Sequence, residues 1–199
     1  WLYHMSEAPG KALAILAPIK ELPLPGIMLK AAAHRQRGEN DKSLKIYQDA
    51  EKNAFSGQEP IELAGDFFLM YAFAAESLGN LELCLEKLRK AYSINPENPS
   101  ICNALGYTLA DKNMELKFAE ELIEKAVRKE NDNIAFLDSL AWVKYRLNKK
   151  EEALQAAVKI MPIIDSDPDP DGVIFEHLSK ILNENNYKII AEFYAKMRE

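Results

Sequence analysis

Residues 65–98 read GDFFLMYAFAAESLGNLELCLEKLRKAYSINPEN, and the reading of this stretch decides the fold. Phe68, Tyr71, Ala72, Ala75 and Leu78 recur at helical spacing, Gly79-Asn80 interrupts the run, and Cys84, Leu88 and Ala91 resume it. Two amphipathic helices joined by a short turn produce this pattern. Outward from it, the closing segment Ala91 to Pro96 has two counterparts. Ala126 to Asn131 follows Ile123, Ala119 and Gly106, and Ile160 follows Ala157, Ala153 and Leu147-Asn148. Self-similarity at a period of about 34 residues with paired helices indicates a solenoid. In such a stack each unit buries its apolar faces only against its neighbours.

On these residues the chain resembles the tetratricopeptide-repeat family. The best unit shows Phe68, Tyr71-Ala72, Ala75, Leu78-Gly79, Cys84, Leu88, Ala91 and Pro96. The next shows Cys102, Leu105-Gly106, Leu109, Ala119, Ile123 and Ala126, with one extra residue in its 111–117 turn. A third shows Leu137, Leu140-Ala141, Lys144, Leu147-Asn148, Ala153, Ala157 and Ile160. A looser copy holds Leu178-Ser179, Leu182, Asn186, Ala191, Ala195 and Arg198; another, upstream, holds Ala31, Gly38, Ser43, Tyr47 and Ala50. The resemblance implies an all-α, right-handed superhelical solenoid of stacked antiparallel helix pairs over 1–199. Its parts are a partial repeat at 1–23, a degenerate repeat with a longer linker at 24–64, repeats at 65–98 and 99–133, a repeat with an acidic Asp/Pro linker at 134–171, and a degenerate repeat at 172–199. The chain opens on Trp1 in an apolar segment, as a piece of a longer solenoid would. Lys144 and Arg198 stand where small or apolar residues are usual, so those units are expected to be looser or exposed there.

The segments Asn103 to Asp111 and Leu137 to Leu147 are similar to large bacterial tetratricopeptide proteins, many of them cell-envelope lipoproteins acting as adaptors. That likeness implies the periplasmic side of a bacterial envelope, with the cytoplasm as the alternative.

Composition narrows the partner. A net charge of −6 argues against nucleic acid or anionic lipid, which need a basic surface. No run of eighteen apolar residues is present to insert in a membrane. The basic cluster Arg146 to Lys150 reads as a helix end, where cations favour the dipole. Cys84 and Cys102 are too few for a disulfide framework and read as small apolar fillers, a bridge between them being the alternative. No zinc-ligand spacing occurs. Asp165 to Gly172 looks like a calcium loop but lacks the twelve-residue spacing and terminal Glu, so it reads as a helix-capping linker. No cofactor or metal is therefore expected. His4, His34 and His177 lie far apart in a repeat array, and Glu120-Glu121 and Glu151-Glu152 read as solvated helix faces. An enzyme is not expected.

After a truncated helical end at 1–4, periodicity predicts helices at 11–19, 26–37, 41–54, 60–78, 81–93, 99–111, 115–129, 134–147, 150–163, 172–184 and 187–198. Pro18 should kink or end the first of these, Leu22 to Gly26 should break the chain, Gly38 should cap its helix, and Pro60 should sit in a first turn. Gly106, Ala72 and Ala141 stand where backbones approach, opposite Ala119, Cys84 and Ala153.

In this architecture first helices line the concave face. Register puts Phe73, Tyr107 and Trp142 at equivalent outward positions, with Asn103, Asp138 and Glu176 one turn earlier and Met70, Ala104, Ser139 and His177 beside them. One reading is a ladder that grips an extended or helical segment, since Trp and Tyr are favoured anchors. The other is packing of these aromatics between neighbouring first helices. His177 either bonds a partner or is satisfied internally. No Lys or Arg occupies the inward positions needed to clamp a C-terminal carboxylate. The expected function is a non-catalytic scaffold or adaptor that binds a peptide segment or partner protein in its groove. The alternative is a self-assembly module whose solenoid ends mediate oligomerisation or docking in a larger envelope complex.

Overall fold

The computed structural model of the chain describes residues 9–55, 58–164 and 172–197. Among these residues there are eleven helices and no strand. They fall into two compact units, Trp1–Pro96 and Glu97–Glu199.

The first unit holds α1 (Pro9–Leu16), α2 (Leu24–Gln36), α3 (Asn40–Asn53), α4 (Ile61–Glu76) and α5 (Leu81–Ile94). α2 packs on α3 and α4 on α5 as adjacent pairs. α1 stops two residues before Pro18, which has no amide to continue it. The Leu22 to Gly26 breaker is shorter than expected, because α2 begins at Leu24 and takes Pro25 into its first turn. First-turn amides have no intrahelical acceptor, so proline loses nothing there. Pro60 likewise stands at the N-cap of α4 rather than inside it. Tyr47, Phe67, Phe68 and Tyr71 form the core, with Tyr47 stacked on Tyr71 at 5.5 Å.

The second unit holds α6 (Pro99–Asp111), α7 (Leu116–Lys129), α8 (Ile134–Arg146), α9 (Lys150–Ile164), α10 (Val173–Glu184) and α11 (Lys188–Met197). The pairs α6·α7, α8·α9 and α10·α11 stack through α6·α8, α7·α8, α8·α10 and α9·α10 contacts. One apolar core runs across the α8·α9 and α10·α11 pairs, from Leu137 and Ala141 through Ala153, Ala157 and Ile160 to Leu178, Ala191 and Tyr194. Pro162 lies in the last turn of α9, where its missing amide faces the carbonyl of exposed Val158.

Turns repeat as faithfully as helices. Gly38, Gly79, Asn113, Asn148 and Asn186 stand between the two helices of successive pairs, all with positive φ. Only glycine, or asparagine with its short polar side chain, enters that region cheaply. The extra residue before α7 costs a second left-handed position, Glu115 at φ 42°. The side chains of Asn80, Asn98 and Asn133 accept hydrogen bonds from first-turn amides and start α5, α6 and α8.

Gly106 stands where α6 meets α7: a Cβ there would lie 2.7 Å from Ile123 Cγ1 and 3.0 Å from the Ala119 carbonyl oxygen. Cys84 and Cys102 are buried thiols that form no disulfide. The Lys144 expectation is corrected. This lysine is 8% exposed, and its Nζ donates to Glu120 at 2.6 Å and to Glu124 and Glu152 at 2.8 Å. It ties α7, α8 and α9 together instead of loosening them. Glu120 is corrected with it, being buried rather than solvated. The 1–4 helical end, His4, Asp165 to Asp171 and Arg198 lie outside the described residues.

Candidate functional site: the first-helix face of the second unit

α6, α8 and α10 are the first helices of their pairs, and α8 touches both of the others. Asn103 and Tyr107 lie one turn apart on α6, as do Asp138 and Trp142 on α8. Asn103 and Tyr107 are half-buried. Trp142, Asp138 and His177, expected to point outward, are at most 4% exposed. The correction has a plain cause. The Trp142 indole stacks on His177 of α10 with centroids 4.0 Å apart and planes at 13°, filling the space between α8 and α10. Tyr145, one turn along α8, stacks on Trp142 at 5.1 Å. Tyr107 reaches the same cluster, 6.1 Å from the His177 ring.

His177 Nδ1 lies 2.8 Å from Asp138 Oδ2, a buried hydrogen bond between neighbouring first helices. The repeat register makes Glu176 the equivalent of Asp138, and it is His177, next to Glu176, that contacts Asp138. Glu176 instead accepts from Lys180 on its own helix. Phe73 is half-buried on α4 of the first unit, with the Arg35 guanidinium 5.9 Å from its ring. It is therefore described apart from the others.

Two cations bracket the indole: Arg146 Cζ is 5.5 Å and Lys180 Nζ 5.2 Å from the Trp142 ring. Both had a signal in the sequence that went unread. Arg146 follows Trp142 by one turn, and Lys180 holds in its own repeat the position that Trp142 holds in the one before. Two buried side-chain atoms here, Trp142 Nε1 and Asn103 Oδ1, have no hydrogen-bond partner among the described residues.

Beneath this face lies the Lys144 network. Burial opposes ionisation of Glu120, yet the hydrogen bonds from Lys144 and Lys149 outweigh it and hold the carboxyl down at about 2. Burial likewise works against the Lys144 ammonium, but Glu120, Glu124 and Glu152 push it above the usual lysine range. Such a closed set of charges joins α7, α8 and α9 side chain to side chain. Among the described residues no group of three or more His, Cys, Asp or Glu is placed to hold a metal ion. None of their helices is long and apolar enough to cross a membrane.

No family model matches the chain. It is 34% identical over 116 residues to the TPR repeat-containing protein PA4667 of Pseudomonas aeruginosa. That match takes in 57% of this chain and about a fifth of the relative, 19% of its length. Among solved structures, MamA 41-end from Desulfovibrio magneticus RS-1 superposes with a TM-score of 0.62 at 14% identity, over 95% of this chain and 94% of that one. A crystal structure of MamA protein gives 0.61 at 15% identity, over 88% and 89%. The sequence match and the shared fold bear out the repeat pattern quoted above.

Proposed function

We propose that this tetratricopeptide-type repeat chain is a non-catalytic scaffold that holds a peptide segment or partner protein on the first-helix face around Asn103 and Tyr107, with the buried Asp138, Trp142 and His177 fixing the helices that carry it. The carrying observation is the half-buried pair Asn103 and Tyr107, one turn apart on α6, beside the buried Trp142–His177 stack. A bound peptide backbone carries donors and acceptors for the Asn103 amide and the Tyr107 hydroxyl. Tyr107 and Arg146 are of the residue types that dominate binding energy at interfaces. Phe73, beneath Arg35, offers an equivalent anchor within the first unit. The reading is non-catalytic by the likeness to a TPR repeat-containing protein; the described histidines pair within the fold, His34 with Glu39 and His177 with Asp138.

Trp142 is part of the packing, so the test uses half-buried residues. A photo-crosslinking phenylalanine analogue at position 107, and separately at exposed position 121 on α7, is expressed in the source cell. Discrete partner adducts are expected at 107 and none at 121. Tyr107→Ala with Asn103→Ala should weaken capture of that partner by about thirtyfold, the cost of losing a central anchor. Equal labelling at both positions, or undiminished capture by the folded double variant, would remove the first-helix face as the site.

A further inference from the structure

α11 breaks a rule that the other second helices of this unit keep. Aligned on the small buried residue that opens each packed stripe (Ala119, Ala153, Ala191), one row contains Lys117, Glu121 and Lys125 of α7 and Glu151, Gln155 and Lys159 of α9. All are polar, and all but half-buried Lys125 are exposed. The same row of α11 is Ile189, Phe193 and Met197, which are 86%, 55% and 49% exposed. Exposed Ile190 and Tyr187 widen this apolar stripe. It is not the stacking face, since Ala191 and Tyr194 occupy that.

We propose that the stripe is covered by a second copy of this chain, two α11 helices packing antiparallel about a twofold axis near Phe193. Area argues for this occupant. The five residues present on the order of 500 Å² of surface, in the upper part of the range for the largest patch of a monomer. Wholly covered by its own copy, the patch would bury about 1,000 Å² in total, the lower bound for a stable interface. Charge argues for the direction. Lys188, Glu192 and Lys196 form an exposed row of alternating sign beside the stripe. Antiparallel pairing puts the two rows on the same side of the contact and brings Glu192 of each copy close to Lys196 of the other, whereas parallel pairing about a twofold puts the rows on opposite sides, out of reach of one another. An isologous contact of this kind closes at two subunits. It uses none of the residues of the first-helix face and stands independently of the role proposed for that face.

Sedimentation equilibrium tests the proposal on the 199-residue chain. A concentration-dependent dimer is expected, and a monomer that persists at about 100 µM overturns the proposal. The triple variant Ile189→Glu, Phe193→Gln and Met197→Lys gives α11 the row that α9 carries. It should keep its helical spectrum and melting curve while the dimer weakens at least about thirtyfold. A dimer that survives it overturns the proposal. A second arm needs no apolar change: Glu192→Lys alone should weaken the dimer, and Glu192→Lys with Lys196→Glu should restore it. Failure of that rescue overturns the antiparallel pairing even if the triple variant unfolds.

Discussion

Gly106→Ala sets two known effects against each other, and the structure decides between them. Inside a helix the change gains about 1 kcal/mol of intrinsic propensity. Against this, the new methyl would lie 2.7 Å from Ile123 Cγ1 and 3.0 Å from the Ala119 carbonyl oxygen. Ile123 and Ala119 are fully buried, and the oxygen belongs to the backbone of α7, so neither neighbour can retreat alone. α6 and α7 must separate. Overpacking of this kind costs about 1–3 kcal/mol, and the rigid neighbours place it in the upper half of that range. The expected net loss is then about 1–2 kcal/mol. For a domain near 100 residues each kcal/mol lowers Tm by roughly 4–8 °C, so a fall of about 5–15 °C is expected by circular dichroism. Gly10→Ala, in α1 with open space around it, isolates the propensity gain and should be neutral or slightly stabilising. Gly106→Ala with Ile123→Ala should lose less than the sum of the single changes, because the second removes the atom that the first strikes. A Gly106→Ala variant as stable as the parent, or an additive double variant, would refute the close approach of α6 and α7. Gly106→Leu should be worse still.

Lys144→Ala should destabilise by about 2–3 kcal/mol in urea melts, less than the roughly 3–5 kcal/mol of an uncompensated buried charge, since Lys149 still donates to Glu120. Because the folded state holds the Glu120 carboxyl below its usual range, at about 2, its contribution is fully present above about pH 4.5 and is lost as pH falls towards 2. Glu120→Gln should flatten this part of the stability–pH curve, and an unchanged acid limb would contradict the assignment. His177→Ala removes both the indole stack and the Asp138 hydrogen bond, and should cost about 2–4 kcal/mol. A melt within experimental error of the parent would show that α8 and α10 do not depend on that pair.

The fold was legible because it is periodic. Small residues at close helix contacts, such as Gly106, Ala141 and Ala153, and turn residues such as Gly79, Asn113, Asn148 and Asn186 recur at positions that steric demands dictate locally. Helix pairing and the shared core follow from that spacing without knowledge of distant contacts. What the periodicity could not determine is which side chains reach across from one repeat to the next. Trp142 and Tyr107 occupy the same register position, yet one is buried against His177 and the other half-buried. The difference arises because His177 of the next first helix stacks flat on Trp142 at 4.0 Å, whereas Tyr107 lies tilted and 6.1 Å from that ring. Lys144 breaks the repeat pattern, which suggests looseness until three carboxylates from two other helices are seen to meet its ammonium. Burial of a charge depends on partners distant in sequence, and only the packed helices bring them within reach. Local spacing thus determined the helices, their turns and their pairing, while the tertiary structure alone decided which residues of the first-helix face fill space and which stay open to a partner.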